Sequence, residues 1–168
     1  REKITEPEQS TQFVNLVREK VQAEAIQAVI RNNGGMVAMA TGSGKSRVAV
    51  ELAKHYFNPR NDYHTALLVP TEKLRDENWD EEFTKWEARN IWTHTERLCY
   101  ASASKIKGYD FPLAILDEGH NITELSSEFF LNNNVARTVL LTATPPDDKV
   151  KKQILSDLGI ELVYELTL

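Results

Sequence analysis

The stretch Met39-Ala40-Thr41-Gly42-Ser43-Gly44-Lys45-Ser46 lies between a short apolar run, residues 36–40, and a segment with helical spacing of apolar residues, 45–56. A glycine-rich turn in such a position allows backbone N–H groups to point at phosphate oxygens, and the positive end of the helix dipole faces the same place. Lys45 would reach the β- and γ-phosphates of a nucleotide, and the Ser46 hydroxyl would bind Mg²⁺. An ordinary strand-to-helix turn is the alternative, but it does not account for this order of glycines, serine and lysine. The stretch predicts a phosphate-binding loop, although Met39 stands where the general pattern has glycine.

Apolar runs and segments of helical periodicity alternate along the rest of the chain. Strands are predicted at residues 36–40, 65–69, 98–101, 113–116, 139–141 and 162–166, and helices at 13–30, 45–56, 73–86 and 147–158. Strands that are apolar throughout and separated by helices are typical of a mainly parallel sheet with helices on both faces. We therefore expect one α/β domain across residues 1–168, with residues 1–12 as an N-terminal extension.

Composition and charge exclude several classes of protein. The formal net charge of −5 argues against a broad basic face for nucleic acid, but it leaves local phosphate contacts open. No apolar run approaches the ~18 residues that a membrane-spanning helix needs, so no membrane association is expected. The single cysteine, Cys99, excludes an intrachain disulfide framework. We expect an intracellular, cytoplasmic protein.

Two adjacent acids, Asp117 and Glu118, directly follow the apolar strand predicted at residues 113–116. This places both carboxylates at the carboxyl edge of a parallel sheet, where such folds bind ligands. Asp117 is suited to holding Mg²⁺ through water, and Glu118 to orienting or deprotonating an attacking water. Such a pair alone is more often a helix cap with a solvated neighbour, but the phosphate-binding loop upstream favours the catalytic interpretation.

The strand predicted at residues 139–141 is followed by Thr142 and Thr144. Their hydroxyls could hydrogen-bond to the acidic pair and sense the γ-phosphate. A threonine-rich strand end followed by a turn is the alternative, and without the other two elements this segment would be uninformative.

Taken together, these residues resemble the N-terminal RecA-like domain of superfamily 2 helicases and translocases. The loop is similar to motif I of that family, and motif Ia resembles Leu67-Leu68-Val69-Pro70-Thr71. The DExH form of motif II resembles Asp117-Glu118-Gly119-His120, and motif III resembles Thr142-Ala143-Thr144. The family's element whose glutamine contacts adenine resembles Arg18-Glu19-Lys20-Val21-Gln22. Five motifs in the family's order are more specific than any one of them. The residues of the loop and of Leu141-Thr142-Ala143-Thr144-Pro145 are most similar to those of type III restriction subunits, UvrB-like proteins and phage helicases.

The resemblance implies a RecA-like P-loop NTPase fold, ATP and Mg²⁺ as cofactors, and a role for each matching residue. Catalytic roles fall to Lys45, Asp117, Glu118 and His120, and Mg²⁺ binding to Ser46 and Asp117. Nucleotide binding falls to Arg18, Gln22, Thr41, Gly42, Ser43, Gly44, Lys45, Ser46 and Arg47. Nucleic-acid contacts fall to Pro70, Thr71, Ser102 and Lys105, and coupling to Thr142 and Thr144. A glutamine amide donates and accepts at once, so Gln22 can pair with adenine and disfavour guanine.

Three departures from the family's pattern limit these expectations. Gly119 replaces the alanine or cysteine common in motif II, a change that should preserve the neighbouring residues. Cys99-Tyr100-Ala101-Ser102 stands where the family often has Thr-Tyr-Gln-Ser, which leaves only Ser102 as a matching contact. The second RecA-like domain, with its arginine finger, is not found in these residues. We expect a monomeric fragment that binds nucleotide with little turnover, whose partners are that second domain and nucleic acid, with DNA favoured over RNA.

Two other functions are compatible with parts of the pattern. The chain could be a non-catalytic nucleotide-binding or scaffold module, which would bind ATP or ADP without hydrolysis. A P-loop kinase would need an arginine-rich lid after the loop, but residues 57–64 are few and hold one arginine. The stripe of Trp79, Phe83 and Trp86 could stack on bases, although its helical spacing favours core packing.

Overall fold

The computed structural model describes residues 6–40, 42–60 and 64–166, with side chains from residue 16 onward. The strands are β1 (Gly35–Met39), β2 (Thr65–Val69), β3 (Thr95–Cys99), β4 (Asp110–Phe111), β5 (Ala114–Leu116), β6 (Asn134–Val135), β7 (Thr138–Thr142) and β8 (Leu162–Leu166). The helices are α1 (Glu6–Asn32), α2 (Lys45–Tyr56), α3 (Trp79–Lys85), α4 (Arg89–Trp92), α5 (Glu124–Asn132) and α6 (Lys149–Asp157). Thr41, which the sequence places in the nucleotide site, lies outside the described residues.

Six strands form one sheet in the order β3-β2-β5-β7-β1-β8, and every pairing in it is parallel. The short strands β4 and β6 pair separately, also in parallel. Parallel neighbours need a crossover on one face or the other, and here helices supply most of these connections. The predicted parallel α/β sheet is confirmed.

Alternate residues of the strands pack into two apolar clusters, one on each face of the sheet. Residues such as Val37, Leu67 and Ile115 face helices α1 to α4. Their neighbours Leu68 and Leu140, among others, face α5 and α6. Because both faces are covered, the strands β1, β2 and β5 are buried at every position and do not alternate, which is why they could be recognised in the sequence.

Several elements differ from their predicted bounds. Helix α1 begins at Glu6, so part of the predicted N-terminal extension is helical. Strand β3 begins at Thr95 and not at Leu98, and neither α4 nor α5 was predicted. The helix predicted at 73–86 is also interrupted, because residues Leu74–Asn78 form a π-helical turn before α3 begins.

The predicted N-terminus of the last helix agrees closely with the structure. The N-terminus of α6 follows Asp148, whose carboxylate accepts hydrogen bonds from the backbone N–H groups of Val150 and Lys151. These bonds satisfy donors that have no acceptor within the helix.

Within the described residues, no helix is both long enough and apolar enough to cross a membrane.

Candidate active site

The carboxyl ends of β1, β5 and β7 meet at one edge of the sheet, because these strands are parallel and β7 lies between the other two. A cleft of about 810 Å³ opens at this edge. It brings together nine of the predicted residues: Arg18, Gln22, Gly42, Gly44, Lys45, Ser46, Arg47, Asp117 and Glu118. The cleft is also lined by residues of the π-helical turn and α3, among them Trp79, and by Trp86, the residue after α3. Neither tryptophan was predicted to be there.

The backbone of the loop before α2 is shaped by glycine. Gly44 has φ 92°, in the left-handed region that side chains rarely adopt, and a Cβ there would lie 1.9 Å from Nε2 of Gln22. Ser43 closes the turn, since both its N–H and its hydroxyl donate to the carbonyl of Ala40. The first N–H groups of α2 have no acceptor within the helix and face the start of the cleft. The loop therefore has the form expected of an anion cradle.

Gln22 links α1 to this loop. It is 5% exposed; its Oε1 accepts from Arg47 Nη1 at 3.3 Å, and its Nε2 donates to the carbonyl of Ser43 at 3.4 Å. The guanidinium of Arg47 lies 4.2 Å above the ring of Trp86. Arg18, one helical turn before Gln22, is exposed at the rim. Gln22, Arg47 and Trp86 therefore form a connected wall of the cleft beside α1, with Arg18 at its rim.

Lys45 and Glu118 form an ion pair, with Nζ 3.3 Å from Oε1. The lysine side chain is mostly buried and that of Glu118 about one-third exposed. The other carboxylate oxygen of Glu118 lies 3.6 Å from His120 Nδ1. Glu118 has φ 47° and ψ 54°, a left-handed conformation, immediately before a short 3₁₀ turn, Gly119–Asn121.

Asp117 is 8% exposed and held from three sides. The indole Nε1 of Trp79 donates to its Oδ2 at 2.8 Å, the hydroxyl of Tyr100 donates to its carbonyl at 2.8 Å, and its own N–H donates to the carbonyl of Leu68 at 2.9 Å. Burial raises the pKa of the Asp117 carboxyl above its usual value, while the indole hydrogen bond acts in the opposite direction. The indole of Trp79 therefore holds the carboxylate, and the other two hydrogen bonds hold the backbone of the same residue.

Thr142 lies behind the acidic pair and does not bond to it among the described residues. Its hydroxyl donates to the carbonyl of Thr144 at 2.7 Å and accepts from the N–H of Thr144 at 3.2 Å. It also lies 3.4 Å from His120 Nδ1. The two threonines therefore form a closed turn that reaches Glu118 only through His120.

The structure explains why glycine replaces alanine or cysteine at position 119. A Cβ on Gly119 would lie 2.1 Å from Cγ of Leu140, which fills that space from β7. No side-chain contact this short occurs in folded proteins, so one of the two residues would have to move. The departure from the common motif is a packing arrangement between β7 and this turn.

The four residues predicted to contact nucleic acid occupy the ends of two neighbouring strands. Pro70 and Thr71 follow β2, and Ser102 and Lys105 lie in the 3₁₀ turn after β3. The Thr71 hydroxyl accepts from the N–H of Leu74 at 3.3 Å. All four lie along the same edge of the sheet as the cleft but do not line it.

Trp79 and Tyr100 were missed as site residues. The predicted stripe of Trp79, Phe83 and Trp86 does pack into the core, since the first two are buried. Packing does not describe it fully, however, because Trp79 donates to Asp117 and Trp86 lies under Arg47. An i, i+7 pair of tryptophans in a helix that follows a strand end was the available signal, since indole N–H groups in buried positions usually find an acceptor.

The oxygen ligands near the loop suit Mg²⁺ and not a softer metal. Ser46 and Asp117 offer a hydroxyl and a carboxylate, the hard oxygen donors that Mg²⁺ prefers. Within the described residues, no group of three or more histidines, cysteines or acids could hold a metal ion. A metal in this cleft would depend on phosphate and water for its remaining ligands.

Residues 15–102, more than half of the chain, match the family described as type III restriction enzyme, res subunit. The chain belongs to this family. It is also 27% identical over 168 residues to the DNA 3'-5' translocase XPB2 of Sulfurisphaera tokodaii, a match that covers 89% of this chain and 37% of that protein. The chain thus spans little more than a third of the curated relative it matches.

Solved structures share the fold at low sequence identity. The UvsW helicase from bacteriophage T4 superposes with a TM-score of 0.71 at 17% identity, covering 86% of this chain and 58% of that one. The SWI2/SNF2 ATPase core of Sulfolobus solfataricus, solved in complex with dsDNA, superposes with a TM-score of 0.58 at 18% identity, covering 80% and 33%. The fold is therefore the RecA-like α/β fold that these proteins share, as the motifs predicted.

Proposed function

We propose that this chain is the N-terminal RecA-like ATPase domain of a DNA translocase or helicase. The observation that carries the proposal is the meeting of Lys45, Asp117 and Glu118 at one edge of the sheet, around a cleft that begins at the N-terminus of α2. A cation, a buried carboxylate and a candidate base are the groups that phosphoryl transfer to water requires.

ATP suits the shape and chemistry of this cleft. The glycine-rich loop and the first turn of α2 would hold the phosphates, with Lys45 neutralising their charge. Gln22 and Arg47 would meet the base, and the amide of Gln22 would favour adenine because it donates and accepts together. The side-chain nitrogen of Gln22 donates to the carbonyl of Ser43, and its oxygen accepts from Arg47. A bound base would therefore share these hydrogen bonds or replace them.

The hydrolytic role falls to the two acids. Asp117 and Ser46 would hold Mg²⁺, which neutralises charge on the phosphates when bound. Glu118 would orient a water and accept its proton, which requires that its carboxylate leave Lys45. His120 and Thr142 would transmit the state of Glu118 to β7.

DNA is the proposed polymer, with DNA favoured over RNA. The curated relative is named a DNA translocase, and one structural neighbour was solved with dsDNA. Pro70, Thr71, Ser102 and Lys105 would contact its backbone, where single polar groups suffice despite the acidic net charge.

ATP turnover with and without DNA tests the proposal. The 168-residue chain should bind ADP with Mg²⁺ and hydrolyse ATP slowly. A longer form of the protein that includes a second RecA-like domain should hydrolyse ATP faster when DNA is present. Lys45→Ala and Glu118→Gln should each abolish turnover, because they remove the phosphate-binding cation and the base.

Lys54→Ala is the matched control, since Lys54 lies on the same helix but pairs with Glu51 away from the cleft. It should leave turnover unchanged. If the longer form binds nucleotide but does not hydrolyse it with DNA or RNA, the chain is a nucleotide-binding module instead. If neither ADP nor ATP binds, the cleft has another ligand.

A further inference from the structure

Trp79 occupies an unusual position for a residue of an apolar core. It is 4% exposed and packs near Phe83, with 6.1 Å between their ring centroids. Its indole nevertheless turns its N–H to Oδ2 of Asp117, at 2.8 Å, in a contact where both partners are buried. Packing alone would be served by any large aromatic ring, so the choice of an indole needs another reason.

The backbone before Trp79 sets the direction of its side chain. Residues Leu74–Asn78 form a π-helical turn, and α3 begins at Trp79 itself. A π-helical turn holds one more residue than an α-helical turn, so it rotates the residues after it by about 100° relative to a continuous helix. Such turns are frequent at functional sites. Here the turn and the tryptophan both line the cleft.

We propose that Trp79 is a positioning residue for the metal site, and that its indole N–H fixes the Asp117 carboxylate in the orientation that serves Mg²⁺-nucleotide. The proposal rests on the function proposed above. A hydrogen bond to one carboxylate oxygen holds the plane of the group and leaves the rest of it to face the cleft. Partners of this kind behind a metal ligand typically change metal affinity by about 10-fold to 100-fold when removed.

Trp79→Phe separates this role from packing, because phenylalanine keeps a ring and lacks the donor. Calorimetry on the 168-residue chain would measure ADP binding with Mg²⁺ and with EDTA. We expect the affinity for ADP with Mg²⁺ to fall about tenfold, and the affinity without metal to change little. An equal loss under both conditions, or no loss, would overturn the proposal.

Trp92→Phe is the matched control. Trp92 is buried in the same apolar cluster as Trp79, but it does not line the cleft. Its loss should lower stability without changing the ratio of the two affinities. If the wild-type chain itself binds ADP equally well with and without Mg²⁺, the proposed Mg²⁺ site fails, and the role of Trp79 fails with it, whereas the proposed ATPase function is still decided by turnover.

A spectroscopic measurement on the wild-type side chain covers the case in which Trp79→Phe does not fold. The three indole N–H resonances can be assigned with Trp86→Phe and Trp92→Phe. Adding Mg²⁺ to the ADP-bound chain should shift the Trp79 resonance and not that of Trp92, and Asp117→Asn should remove the shift. A Trp79 resonance that does not respond to Mg²⁺ would contradict the proposal.

Discussion

Glu118 holds the least favourable backbone conformation in the cleft. Its φ of 47° and ψ of 54° lie in the left-handed region, which costs a residue with a Cβ about 1–2 kcal/mol. The turn from β5 into the 3₁₀ segment imposes this conformation, and it directs the carboxylate at Lys45. Strain of this kind persists where the surrounding structure requires it and is common at functional sites.

Replacing Glu118 tests that strain directly. Glu118→Gly should have a free energy of unfolding about 1 kcal/mol higher than that of Glu118→Ala, because glycine adopts positive φ without steric cost. Urea titrations of both variants would measure the difference. At Glu128, an exposed position within α5, the same pair should reverse its order, since alanine is the better helix former. If glycine and alanine rank the same way in stability at both positions, the backbone of Glu118 is not strained.

Single residues of the site were predictable where a short motif has a mechanism. Lys45, Asp117 and Glu118 could be placed because a phosphate-binding loop and a strand-end acid pair follow from local sequence. Trp79 was missed, because the pair of tryptophans seven residues apart indicates a buried indole but does not show which group accepts its hydrogen bond. That acceptor, Asp117, lies far from Trp79 in the chain.

At the scale of elements, β7 and the turn after β5 meet through Gly119 and Leu140. Gly119→Ala should cost about 1–3 kcal/mol of unfolding free energy, because its methyl group would overlap the leucine side chain. In a Leu140→Ala background the same substitution should cost much less, since the space is then free. Denaturant unfolding of the four proteins of this cycle would give the coupling. Equal costs in both backgrounds would show that the two side chains do not compete for space.

Helices and strands were predicted to the extent that their apolar pattern was regular. Strands β2 and β8 have the predicted bounds, because five-residue runs ended by proline or by polar residues are unambiguous. Helix α5 was missed: its N-terminus is capped by Thr123 and Ser126, and serine replaces the glutamate or glutamine that marks a capping box in sequence. Helix α4 is a single turn, too short for periodicity to register.

At the scale of the whole molecule, nucleotide should stabilise the fold. A ligand that binds only the folded chain adds about 2.7 kcal/mol to the free energy of unfolding at a hundred times its Kd. Mg²⁺-ADP should therefore raise the thermal midpoint of the wild-type chain and of Lys54→Ala, and have little effect on Lys45→Ala. Scanning fluorimetry at several ADP concentrations would measure this. An equal rise in all three proteins would place the nucleotide outside the loop before α2.

The parallel pairing of the strands was predictable, but their order across the sheet was not. Apolar strands separated by helices imply parallel pairing, whereas the position of β7 between β1 and β5 depends on which helices cross which face. That order brings the hydroxyl of Thr142 to 3.4 Å from His120 Nδ1, whereas the sequence suggested a direct hydrogen bond to the acidic pair.

The ion pair between Lys45 and Glu118 would couple the base to nucleotide binding in the proposed function. While the lysine has no phosphate to bind, it would restrain the carboxylate of Glu118, so the base would be withheld for as long as there is nothing to hydrolyse. An arriving phosphate would take over the lysine and release the glutamate in the same exchange. The timing of catalysis would then depend on nucleotide occupancy, through two side chains 73 positions apart in the chain.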